Sequence, residues 1–410
     1  MLLKVKAIGD ILYLLVFKLI EVLGGITMEK FYVSTLNNIS SVGLNLLSDK
    51  YALTEDISKA NGILVRSQDM HDMNFSENLM AIARAGAGVN NIPLEKCADN
   101  GIIVFNTPGA NANAVKELVI AGLLIAARNM DSGMAWASTL SENVSKEVEK
   151  GKKQFAGTEI EGKKLGVVGL GAIGVLVANA ATALGMKVYG TDPFFSTKAA
   201  LNLNSNVEFV STVEEMLGEC DYVSLHLPSL ESTKGMFDKD MIKNMKDGAV
   251  LLNFARGNLI VEEDILAALE AGYLGKYVTD FPSDVIINKK GVVAIPHLGA
   301  STEEAEDNCA KMATLQLMDY IENGNIVNSV NYPNVTMKSL PNTKKISVMT
   351  KGVNDVISVL SKALGGSNIL EFATNKKDLY GYTLVMVNAD CDTSGIFDLK
   401  NEGIIKVREI

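Results

Sequence analysis

The stretch Leu165-Gly166-Val167-Val168-Gly169-Leu170-Gly171-Ala172-Ile173-Gly174 passes from a short apolar run through three spaced glycines into a helix-forming segment. The next apolar run, Met186-Lys187-Val188-Tyr189-Gly190-Thr191-Asp192, ends on a carboxylate 18 residues after Gly174. Strand, Gly-x-Gly-x-x-Gly, helix, strand, acid is the dinucleotide-binding pattern. The glycines permit a tight turn and close backbone approach, so that a helix N-terminus meets a pyrophosphate. Asp192 then accepts hydrogen bonds from the adenosine ribose. With no arginine directly beside it, the acid would repel a 2′-phosphate, so the expected cofactor is NAD rather than NADP.

Working outward, short apolar runs alternate with helical stretches from Met28 onward, which is the α/β pattern. Before the fingerprint lie strand-like Phe31–Val33, Gly62–Val65, Met80–Ala85 and Ile102–Phe105, a loop at Pro108–Asn111, and a helix over about Ala114–Asn129. After it come runs ending at His226, Asn253, Asp280 and Ile295, each apolar enough to be a parallel strand buried on both faces. Thr212 with Glu215, and Ser301 with Glu304, have capping-box spacing, while Gly272 and Gly324 fit helix ends. The expected organisation is a Rossmann-type NAD domain, 113–299, inserted in a discontinuous flavodoxin-like substrate domain, 28–112 plus 300–331, with the active site in the cleft between them. After Asn331-Tyr332-Pro333-Asn334, residues 334–410 read as strand, helix, strand, strand, helix, strand, a ferredoxin-like α+β module.

At 410 residues the chain can bury several cores. A formal charge of −10 argues against a nucleic-acid surface. Cys97, Cys220, Cys309 and Cys391 are scattered, with no metal-binding spacing, and read as reduced thiols of a cytoplasmic protein. The apolar run Ile11–Ile26 is interrupted by Lys18 and Glu21, so residues 1–27 read as an extension rather than a membrane span.

Once NAD is bound, the chemistry needs a proton acceptor and a charge anchor. His297 lies just past a strand's carboxyl end, where open α/β sheets place their ligands, and is the expected general acid/base. His226, ahead of Pro228, reads as bordering the cofactor, and His71 as a polar-loop residue. Arg256, followed by Gly257, can grip an α-carboxylate with two hydrogen bonds. Asp284 is the expected carboxylate partner of His297.

These residues resemble the D-isomer-specific 2-hydroxyacid dehydrogenases. The resemblance runs from Met28 to the C-terminus and is carried by Val65-Arg66-Ser67, Arg84–Asn91, Asn106-Thr107-Pro108-Gly109, the fingerprint, Ala255-Arg256-Gly257 and Pro296–Thr302. It implies that Arg256 and His297 are catalytic, and that Asp284 stands where the family has a glutamate, one methylene longer. It also implies that the substrate carboxylate meets the backbone of Ala87, Gly88 and Val89, and that Arg66, Ser67 and Arg84 face the phosphate of a phosphorylated 2-hydroxyacid. Ala172, Ile173, Ala255, Asp280 and Gly299 join the cofactor's surroundings. Pairing through the cofactor domain is implied, giving a homodimer or homotetramer, and the tail resembles an amino-acid-binding ACT module. Its first loop, Lys351-Gly352-Val353-Asn354-Asp355, lacks the Asn-x-Pro-Gly-type turn of serine-regulated relatives, so L-serine should inhibit weakly or not at all. The alternatives are an enzyme for unphosphorylated acids such as glyoxylate, hydroxypyruvate or D-lactate, and a non-catalytic NAD-sensing corepressor.

Overall fold

The computed structural model describes residues 30–364, 369–399 and 403–410. The N-terminal extension lies outside the described residues, as does the end of the Ser394–Lys400 helix expected in the tail. The chain divides into two compact units, one running to Asn106 and resuming at Ala310, the other Thr107–Cys309.

In the first unit, β1 (Phe31–Leu36), β2 (Tyr51–Leu53), β3 (Gly62–Val65), β4 (Ala81–Arg84) and β5 (Ile103–Phe105) form a parallel sheet in the order β2-β1-β3-β4-β5. This is the flavodoxin-like order. β3 is buried throughout, as its Gly-Ile-Leu-Val sequence demands. Gly62 lies against Leu317 of the Glu303–Asn323 helix, where an added Cβ would sit 2.8 Å from a Leu317 methyl. That helix is capped by Thr302, whose hydroxyl accepts from Ala305 N, and not by the Ser301–Glu304 pair that the spacing suggested.

The second unit holds β6 (Lys164–Val168), β7 (Lys187–Thr191), β8 (Glu208–Phe209), β9 (Tyr222–Leu225), β10 (Ala249–Asn253), β11 (Leu274–Thr279) and β12 (Val292–Ala294). All pair in parallel, in the order β12-β11-β10-β9-β6-β7-β8. Separate apolar layers cover the two faces. Helices Ala112–Ala127 and Ala172–Ala183 supply one of them, the first starting and ending two residues earlier than expected. The expected Thr212–Glu215 box is replaced by a Glu215 carboxylate that accepts from Ser211 N. Gly272, at φ 81°, ends the Glu262–Ala271 helix as expected.

The tail folds as β13 (Thr343–Lys351), a helix Val356–Ala363, β14 (Ile369–Lys377), β15 (Tyr380–Asn388), a short helix Ser394–Phe397 and β16 (Ile404–Glu409). The sheet is antiparallel, ordered β14-β15-β13-β16, which is the ferredoxin-like arrangement. It belongs to the first unit, because its residues cap the end of the long helix. Arg408 donates to the carbonyls of Tyr320 (2.6 Å) and Ile321 (2.8 Å), Lys345 to that of Asn323 (2.5 Å), and Tyr382 to that of Gly324 (2.7 Å). Cations are favoured at helix C-termini, where carbonyls lack partners. Asp355 caps Val356–Ala363 by accepting from Ser358 N and Ser358 Oγ.

Among the described residues no single helix is long and apolar enough to cross a membrane, and the only candidate is the bent pair Ala112–Ala127 and Met130–Ala137.

Candidate active site

In the second unit the chain builds β6, β7 and β8 toward one side and then crosses to β9 through β12 on the other. The switch point lies between β6 and β9, and open parallel sheets bind ligands outside the carboxyl ends of strands at such points. Gly169 follows β6 and His226 follows β9 there. Gly169 has φ 96°, and an added Cβ would sit 2.6 Å from the His226 carbonyl oxygen. Gly174 packs the helix onto the turn, with room for no side chain: its Cβ would lie 1.9 Å from Gly169 O. Gly171 differs from both. It precedes the Ala172–Ala183 helix at φ −75°, and nothing lies within 4 Å of the position a Cβ would take.

That open space fits the pyrophosphate of NAD. No side chain caps the Ala172–Ala183 helix, so the amides around Gly171, Ala172 and Ile173 are available to an anion. Asp192 Oδ2 accepts from Leu170 N at 2.9 Å and Oδ1 from Phe194 N at 2.7 Å, which holds the carboxylate beside the glycine turn. Two buried polar atoms near by lack protein partners, His226 Nδ1 and Asp280 Oδ1. His226 Nε2 pairs with Ser224 Oγ at 2.9 Å, and burial pushes the imidazole pKa down to about 3, so the ring is neutral. Asp280 Oδ2 accepts from Gly299 N at 3.1 Å. Burial raises the Asp280 pKa, while the Gly299 N–H and the charges of His297 and Arg256 oppose the rise. Orphaned buried groups are costly, so both atoms mark places for a polar ligand. Ala255 is buried and Pro228 exposed in the flanking turns.

Arg256 and His297 project from the turns after β10 and β12, and both are exposed. Arg256 Nη1 donates to Ala255 O at 2.6 Å. The His297 ring lies against Phe281, with centroids 4.7 Å apart at 50°. Asp284 is not brought to His297. It is exposed, and no hydrogen bond or ion pair joins the two. The reason is local: Ser283 O accepts from Ile287 N and Ser283 Oγ from Val285 N, and the turn is anchored by buried Ile286. Asp284 is left on its outer side. The carboxylate whose titration feels His297 is Asp280.

In the first unit, Arg66 follows β3 and Arg84 ends β4, and Arg84 Nε donates to Arg66 O at 3.0 Å. Ser67 and Gln68 are held by their amides on Asn37 Oδ1. In the following loop the N–H groups of Ala87, Gly88 and Val89 meet no acceptor among the described residues, while Asn106 Nδ2 fixes Ala87 O at 2.7 Å. Three consecutive free amides suit an anion. His71 pairs with Asp69 in an exposed loop. Cys97, Cys220 and Cys391 form no disulfide, and burial pushes the Cys97 and Cys220 thiols up to about 12. No cluster of metal-ligating side chains occurs among the described residues.

Residues 120–299 match the family described as D-isomer specific 2-hydroxyacid dehydrogenase, NAD binding domain. The D-3-phosphoglycerate dehydrogenase of Haemophilus influenzae is 30% identical over 411 residues, covering 93% of this chain and 96% of the relative. This chain belongs to the D-isomer-specific 2-hydroxyacid dehydrogenase family. The D-3-phosphoglycerate dehydrogenase of Methanocaldococcus jannaschii is 32% identical over 85% of this chain and 67% of its own length. The chain spans 58% of the length of several mammalian relatives with that name. An NAD⁺-bound 3-phosphoglycerate dehydrogenase of Entamoeba histolytica superposes with TM-score 0.59 at 29% identity, covering 74% of this chain and 99% of that one. The NAD-binding domain expected from the glycine fingerprint is thereby established, and the chain is an NAD-dependent oxidoreductase.

Proposed function

We propose that this chain is a D-3-phosphoglycerate dehydrogenase, oxidising 3-phosphoglycerate to 3-phosphohydroxypyruvate as the entry to L-serine synthesis. The observation that carries the chemistry is the row of strand ends in the second unit: fingerprint, His226, Arg256, Asp280 and His297 follow β6, β9, β10, β11 and β12. Similarity to curated relatives of that name supports the substrate.

The uncapped helix amides and Asp192 would hold the pyrophosphate and ribose of NAD, and the unpaired Asp280 Oδ1 would accept from its carboxamide. When bound, NAD supplies the hydride acceptor. His297 takes the hydroxyl proton of the substrate and returns it in the reverse direction. Arg256 grips the carboxylate and offsets charge developing on the neighbouring oxygen. The free amides of Ala87, Gly88 and Val89 share the carboxylate, and Arg66, Ser67 and Arg84 bind phosphate. A carboxylate partner for His297 falls to Asp280 or, after a local rearrangement, to Asp284.

The tail is read as an ACT-like module, and the protein as a cytoplasmic homodimer or homotetramer. The free thiols of Cys97, Cys220 and Cys391 fit a reducing compartment. The Met130–Ala137 helix, with Met134 66% exposed and Trp136 packed on Phe155, fits a pairing arm. Assaying NADH oxidation with 3-phosphohydroxypyruvate, hydroxypyruvate, glyoxylate and pyruvate tests the substrate. Preference for the phosphorylated acid is expected, and preference for any other would move the protein to the unphosphorylated-acid reductases.

A further inference from the structure

Asn253 is fully buried at the end of β10, and its side-chain amide is committed to the turn beyond. Oδ1 accepts from Ala255 N at 3.2 Å, while Nδ2 donates to Arg256 O at 2.9 Å and to Tyr277 Oη at 3.2 Å. The main-chain oxygen of Asn253 accepts from Thr279 Oγ1 at 2.9 Å, and that same hydroxyl accepts from Phe281 N at 3.0 Å. The Phe281 ring then lies against His297 on one side. Near it is Gly257, where an added Cβ would sit 3.3 Å from Phe281 Cβ. An unbroken line of contacts thus runs from the Arg256 turn through the β11 end to the imidazole. Both hydrogens of the Asn253 amide and both functions of the Thr279 hydroxyl are used, so the line has little slack.

We propose that Asn253, Thr279 and Phe281 are the positioning residues of this site, with Phe281 orienting the His297 ring in the role expected of Asp284. The inference rests on the reading of Arg256 and His297 as the reacting pair. A ring held at van der Waals contact restricts the imidazole, much as a second hydrogen bond would, without altering its charge. The hydroxyl of Thr279 is what ties that ring to the Arg256 turn.

The test uses Thr279→Val, Thr279→Ser, Phe281→Leu and Asp284→Asn in the full chain, with two readouts. The first needs no turnover: the His297 resonance of ¹³C-histidine-labelled protein, assigned by its loss in His297→Asn. It should shift in Thr279→Val and Phe281→Leu and return to its wild-type place in Thr279→Ser. The second is kcat/KM for 3-phosphohydroxypyruvate beside the NADH Kd. Thr279→Val and Phe281→Leu should lower kcat/KM by about 10- to 100-fold, as small misplacements of reacting groups do, while NADH affinity holds and Ser restores most of the rate. An unmoved resonance in Thr279→Val overturns the proposal, as does a moved resonance with wild-type kcat/KM. A larger loss in Asp284→Asn than in Phe281→Leu returns the role to Asp284. If the wild type reduces none of the acids, the functional reading fails, and the resonance alone decides the positioning.

Discussion

The three fingerprint glycines should separate cleanly when each is given one methyl group. At Gly174 the added Cβ would lie 1.9 Å from Gly169 O and 3.0 Å from Gly169 C. An ordinary contact begins at 3.4 Å, so helix and turn must part by about 1.5 Å, and a backbone carbonyl cannot rotate away as a side chain would. Overpacking of this kind costs up to about 3 kcal/mol, of which the better helix propensity of alanine recovers roughly 1. The remaining ~2 kcal/mol corresponds to a fall of about 4–8 °C in Tm for a domain of this size. At Gly171 the backbone is at φ −75°, open to any residue, and the Cβ meets nothing within 4 Å. Gly171→Ala should therefore melt within about 1 kcal/mol of wild type, and on the stable side, because it narrows the unfolded ensemble. Its methyl group stands where the pyrophosphate must approach, so NADH affinity should fall at least about tenfold, or about 1.4 kcal/mol. Differential scanning fluorimetry without cofactor and NADH fluorescence titration measure the two effects independently. A Gly171→Ala protein that binds NADH like the wild type, or that melts as early as Gly174→Ala, would refute the assignment of one glycine to ligand and the other to packing.

Two further outcomes follow from charge. Asp192→Ser removes the carboxylate beside the glycine turn and should shift the NADH-to-NADPH affinity ratio toward NADPH by about tenfold or more, read from paired titrations; an unchanged ratio would remove Asp192 from the ribose. His226 stays neutral when folded because its pKa is about 3, against 6.5 in the unfolded chain. Below pH 6.5 the unfolded state gains a proton that the folded state refuses, so stability present above that pH is lost as the pH falls toward 3, by up to about 1.4 kcal/mol per unit. Urea titrations at pH 7 and pH 5 should show this slope, and His226→Gln should flatten it.

The parts legible in the sequence were those set by local spacing. Glycine turns, strand length and the acid after the second strand are short-range features, so the NAD fold could be read directly from Leu165–Asp192. The tail's element order could be read for the same reason. Its packing could not, although Thr383-Leu384-Val385-Met386-Val387 carried a signal: an apolar run without alternation, buried throughout, needs a cover on both faces. One cover is the tail's own helix layer and the other lies in the first unit, where Tyr382 meets Tyr320. Asp284 shows the limit of motif reading most directly. The motif offered a carboxylate for His297, but which side of a turn a residue occupies depends on its anchor, here Ile286, and on the hydroxyl of Ser283. Asn253 was visible only as a lone polar residue ending Ala-Val-Leu-Leu, and its importance lies in partners from two other places in the chain, the Arg256 turn and β11.

Both units solve one physical problem in the same way. A reactive loop must leave a strand end rigidly, yet the strand's last backbone groups have no ladder partner there. A charged side chain could satisfy them only at the cost of burying its charge. A side-chain amide offers donor and acceptor together and carries no charge. In the second unit Asn253 fills this place under the Arg256 turn. In the first, Asn106 fixes Ala87 O with its side chain, while its own carbonyl accepts from Gln316 Nε2 at 3.1 Å, and Gln316 Oε1 accepts from Asn328. Asn331, also buried, accepts from Val104 N and donates to Ile102 O, extending the antiparallel bridge that Ser329 makes with Phe105 of β5. The reacting groups, Arg256 and His297, are left exposed on the loops above these amides. Charge at the reacting end and neutral amides beneath it therefore divide the work, so substitutions of Arg256 or His297 act on turnover, whereas substitutions of the buried amides act on where those groups stand.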